Sequence, residues 1–84
     1  MTLAQLQRHL VDLVPGDVDV IARPDHLVLE GPRHRVIAHA SVRVPTLAGG
    51  ERQAGWCLTW DKGRSGVWGD AVDTLAAGLA VALG

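Results

Sequence analysis

Eighty-four residues can build one hydrophobic core and leave nothing for a second, so residues 1–84 read as a single domain. With 48% hydrophobic and 20% charged residues, the composition is that of a globular chain and excludes a disordered one. A formal net charge of -1 gives no global attraction to nucleic acid or anionic lipid.

The core must be aliphatic, because Phe and Tyr are absent and Trp is the only aromatic residue. An excess of Arg over Lys, with abundant Ala, Gly, Val and Asp, suggests a GC-rich genome and says nothing of activity. Cys57 is the sole cysteine, which rules out an internal disulfide and a cysteine-only zinc site. The N-terminus carries no basic segment followed by an apolar run, so no signal peptide is expected. The longest apolar stretch, Ala71 to Leu83, is interrupted by Asp73 and Thr74. It falls well short of the roughly 20 residues that cross a bilayer. A cytoplasmic, non-membrane protein is the expectation.

Residues 2–14 predict an amphipathic helix. Thr2 and Gln5 have capping-box spacing, and Leu3, Leu6, Leu10 and Leu13 recur at threes and fours to give one apolar stripe. Pro15-Gly16 ends it. Residues 17–23 alternate, with Val18, Val20 and Ala22 on one face, and Pro24-Asp25 reads as a tight turn. His26 to Glu30 continues as a second short strand with Leu27 and Leu29 inward, and Gly31-Pro32 turns the chain again.

Residues 35–44 predict the longest strand. Val36, Ala38, Ala40, Val42 and Val44 face one way; Arg35, Ile37, His39, Ser41 and Arg43 face the other. Pro45 to Arg52 reads as a loop, and Gln53 to Trp60 as a strand with Trp56, Leu58 and Trp60 on one side. Asp61-Lys62-Gly63 is a turn signal, and residues 65–69 form a loop or a short fifth strand. Asp70 is placed to cap a last helix, with Asp73 in its first turn. The expected fold is α+β in two layers: an antiparallel meander of three to five strands, flanked on one face by N- and C-terminal helices in the order α-β-β-β-β-α.

Chemistry is thin along this chain. His34 and His39 fall on opposite faces of a strand. His26 and His39 could share one face, but no Asp, Glu or Cys obviously joins them, so no metal is expected. Cys57 has neither a helix N-terminus nor a cationic neighbour in sequence to make it reactive. Ser65 lacks the second glycine of a nucleophile elbow, since Val67 stands there. The glycines at 63, 66 and 69 match no phosphate-binding fingerprint, and Asp70 and Asp73 would repel an anion. No enzyme and no cofactor is expected.

Two resemblances bear on the reading. The α-β-β-β-α order resembles the double-stranded-RNA-binding domain in outline. That family carries a lysine-rich stretch at the start of its last helix, where this chain has Asp70-Ala71-Val72-Asp73. The Trp60-Asp61-Lys62-Gly63 to Trp68 stretch resembles small actinobacterial domains with a Trp-Asp turn before a last helix. That likeness spans the final third of the chain and implies origin and fold, with no activity to carry over.

One anomaly points to function. From Leu75 to Leu83 no side chain is polar, whereas a helix packed once on a sheet needs a single apolar stripe. Leu75, Leu79, Val72 and Leu83 read as the sheet-facing stripe. Ala76, Gly78, Ala80 and Ala82 leave room for another backbone. The first helix, chain beyond Gly84, or a second molecule could fill it. The leading expectation is a non-catalytic interaction or self-assembly module, a homodimer or a protein partner docking on Leu75, Ala76, Leu79, Ala80 and Leu83, joined by Trp68. The alternative is a small nucleic-acid-binding domain using Arg23, Arg33, Arg35, His39 and Arg43 with an exposed Trp.

Overall fold

A computed structural model of the chain describes residues 1–61 and 65–84. Helix α1 spans Leu3–Leu13, with Thr2 as N-cap. The capping box is complete: Gln5 N–H donates to Thr2 Oγ1 at 3.2 Å, and Thr2 N–H donates to Gln5 Oε1 at 2.9 Å. Five strands follow, β1 Asp19–Ala22, β2 Leu27–Glu30, β3 Arg35–Pro45, β4 Glu51–Trp60 and β5 Ser65–Gly69. A 3-10 turn, Val72–Thr74, leads into helix α2, Leu75–Leu83.

The strands pair in sequence order, every pair antiparallel. The fold is therefore α+β, a meander with a helix at each end of the chain. Residues 65–69 form the fifth strand, and the expected 45–52 loop shrinks to 46–50. There Thr46 and Gly50 pair closely, Thr46 N–H donating to Gly50 O at 2.8 Å. The turn expected over Asp61–Gly63 lies partly outside the described residues.

Both helices lie on one face of the sheet, α1 over β1 and β3 and α2 over β4 and β5. Between helices and sheet sit Leu6, Leu10, Leu27, Leu29, Val36, Ala38, Trp56, Leu58, Leu75 and Leu79, all buried. The period-two reading of β3 and β4 holds, and it settles where the indoles go. Trp56 is 2% exposed, and Trp60 packs against the same core. The Trp56 ring lies in a slot between two glycines. A β-carbon on Gly69 would come 2.6 Å from Trp56 Cζ2, and one on Gly78 would come 2.6 Å from Trp56 Cη2. Its Nε1–H donates to Ala71 O at 3.1 Å, so the one polar atom of the ring is satisfied.

Three expectations for the C-terminal segment are corrected. Asp70 caps no helix: the 3-10 turn starts after Ala71, and neither it nor α2 has a side-chain cap. Asp70 instead accepts from Arg52 Nη1, at 2.8 Å and 3.1 Å, and from Gly55 N–H at 3.3 Å. Gly78 and Ala82, read as leaving room for another backbone, are buried toward the sheet; at Gly78 the Trp56 ring fills the height that a larger residue would need. Val72, read as sheet-facing, precedes α2 and is partly exposed.

Mid-strand in β3, Ser41 adopts φ 53, the left-handed region that residues other than glycine seldom enter. Its hydroxyl donates to Met1 O, fastening the start of the chain to the sheet. The β3–β4 register is the same on both sides of it, from Ala40 opposite Trp56 to Val42 opposite Ala54.

Candidate interaction surfaces

The register lines up the helix-free face in rows that cross the strands. Ile21, Val28, Ile37, Thr59 and Gly66 make one row. A second row carries His39, Cys57 and Trp68 on successive strands. His26 stands beside His39, their ring centroids 5.8 Å apart and tilted by 40°. Toward the opposite end lie Asp19, Glu30 and Arg35.

This face is polar at its margins and apolar in the middle. Arg35 binds Glu30 through two bonds, Nε to Oε2 at 2.8 Å and Nη2 to Oε1 at 3.2 Å. That guanidinium holds the Glu30 carboxyl below the usual carboxylate range, and Glu30 in turn raises Arg35. His26 Nδ1–H donates to Asp25 Oδ1 at 2.7 Å, which lowers the Asp25 pKa. Burial pushes the Cys57 thiol up, away from the thiolate form.

Of the residues read as a nucleic-acid face, Arg23, Arg35, His39 and Arg43 belong to the helix-free side. Arg33 lies in the β2–β3 turn. Glu30 already neutralises Arg35, and Trp56 and Trp60 point into the core, which leaves Trp68 as the indole of this face, 42% exposed. Sequence reasoning did not find the His39–Cys57 pair or the Asp25–His26 bond; the first needed the β3–β4 register. Among the described residues no three His, Cys, Asp or Glu side chains are placed to hold a metal ion.

The second surface belongs to α2. Leu75 and Leu79, read as contact residues, are buried against the sheet at 0% and 4% exposure. Ala76, Ala80 and Leu83 border a groove of about 350 Å³ between the end of α1 and α2, closed on the other side by Leu13 and Pro15. Trp68 is not with them, because β5 presents Val67 to the helices and Trp68 to the opposite face. On α2 the residues that remain exposed are Ala76, Ala77, Ala80 and Val81, the last 59% exposed. Among the described residues no helix is long and apolar enough to cross a membrane.

The chain matches no family model, no curated protein and no solved structure.

Proposed function

We propose that the domain is a non-catalytic assembly module that associates with itself through the outer side of α2. One observation carries this reading: the helix has no polar side chain, yet the fold covers only part of it. The sheet takes Leu75, Gly78, Leu79 and Ala82, α1 reaches only the groove at Leu13, and Ala76, Ala77, Ala80 and Val81 stay in water. A helix apolar all round is ordinarily buried all round, and small residues let a second backbone come close. Chromatography with in-line light scattering tests it, with a mass of twice 8.9 kDa expected at high concentration. A constant monomer mass from micromolar to millimolar would remove the reading.

A second reading is supported by the cross-strand row on the other face, where His26, His39, Cys57 and Trp68 follow one another with Arg23 beside them. Such a row can stack unpaired bases while arginines meet phosphates. Salt-dependent retention of single-stranded DNA or RNA is its test, and Trp68→Ala is expected to abolish that retention.

A further inference from the structure

The two edges of the sheet are built differently. β1 opens with Asp19 inside the strand and is followed by Arg23 and Pro24, whereas the charges nearest β5 in sequence, Arg64 and Asp70, stand outside it. Charge and proline are usual means of keeping an edge from pairing. β5, Ser65–Gly69, contains neither a charge nor a proline, and it is the last strand in the sheet order, paired with β4. Above this same edge runs the flank of α2 that α1 does not reach. At 100° per residue, Ala76, Ala80 and Leu83 turn toward α1, so Ala77 and Val81 turn the other way. Gly78 fits that orientation, since a β-carbon there would come 3.5 Å from Val67 Cγ2.

We propose that β5 is the seam of a two-fold dimer in which the Ser65–Gly69 edges of two copies pair antiparallel about Val67. The proposal rests on the self-association reading and names its surface. In an antiparallel pair, facing residues point to the same side of the sheet, so the two-fold must pass through a residue and not between two. Centring it on Val67 uses the whole strand and sets Gly66 of one copy opposite Trp68 of the other. The half-exposed indole then lies over the bare backbone of a glycine, an arrangement known to stabilise glycine in sheets. On the helix side Val67 meets Val67.

Spacing favours the same solution. Strands lie about 4.8 Å apart, so β5 stands about half that from the two-fold axis and the β4–β5 midline about 4.8 Å from it. With α2 packed over both strands, the two α2 axes come about 10 Å apart, within the range at which helices pack. Val81 and Ala77 would fill that contact. Neither β5 nor Leu75–Leu83 carries a charge, so within these two segments no like charges would meet.

The experiment compares dimer dissociation constants, by sedimentation equilibrium, for the native chain and three variants, with far-UV circular dichroism as the check on folding. Val81→Glu and Gly66→Asp should each weaken the dimer at least about tenfold, the latter by placing a carboxylate against the partner's Trp68. Ala80→Glu, on the groove side of the same helix, should weaken it clearly less than Val81→Glu does. Should Gly66→Asp unfold β5, Val81→Glu on the exposed helix flank still decides. A dimer that Ala80→Glu dissociates and Val81→Glu does not would overturn the β5 seam while leaving self-association standing. A native chain that never dimerises overturns both.

Discussion

Gly78 of α2 rests on the indole of Trp56, where a β-carbon would come 2.6 Å from Cη2 and 2.9 Å from Cζ3. The ring cannot retreat, because Gly69 closes its other side and Nε1 is held by Ala71 O at 3.1 Å. Glycine in a helix ordinarily weakens it by about 1 kcal/mol relative to alanine. Here that weakness is the condition for seating a Trp beneath a short helix. Gly78→Ala should therefore destabilise the fold by about 1–3 kcal/mol, overpacking exceeding the gain in propensity. Urea unfolding followed by Trp emission reads the difference, and a higher midpoint for the variant would contradict the slot.

Asp70 ties the end of β5 to β4 by receiving Arg52 and the Gly55 N–H. Asp70→Ala should lower stability by about 1 kcal/mol. Arg52→Ala should cost less, since the ion pair is exposed to solvent and screened. Thermal melts of the two variants compare them directly. Equal losses would mean that the backbone bond to Gly55 contributes nothing.

Glu30 gives a pH signature. Arg35 depresses its folded pKa, so the pair's stabilisation is complete above the ordinary glutamate pKa and is lost as pH falls through the lower folded value. NMR titration of the Glu30 carboxyl should find it below the usual range, and Arg35→Gln should return it there. The stability difference between native chain and variant should vanish at acid pH and shrink with salt. A Glu30 titration that Arg35→Gln leaves in place would refute the coupling.

Cys57 lies beside His39 and Trp68 in the register, with its thiol pKa raised by burial. Reaction with a disulfide reagent near neutral pH should be slow in the folded protein and should accelerate in denaturant, because only the thiolate attacks. Equal rates in both states would show an exposed, reactive thiol.

The regular parts of this architecture were legible in the residues. Thr2 and Gln5 mark the helix start because a capping box is closed within one turn. The alternation of Val36, Ala38 and of Trp56, Leu58, Trp60 identified the buried face because a strand's side chains repeat every second residue. Asp70 was misread because capping is a local expectation, whereas its partners lie 18 and 15 positions away. Trp68 was placed with α2 because nothing in Ser65–Gly69 alone says which side of the strand faces the helices; pairing with β4 decides that. Gly78 seemed to suit an outside partner, and only the volume of Trp56 explains why a glycine stands on the inner side.

Small-angle scattering across a dilution series tests most directly whether the bare side of α2 is covered by a second copy. A single chain has a Cα radius of gyration of 12.1 Å and a mass of 8.9 kDa. At millimolar concentration both values should rise together, the mass doubling and the radius clearly exceeding that of one chain, and both should fall back on dilution. A particle that keeps the monomer's mass and radius at every concentration would contradict self-association through α2.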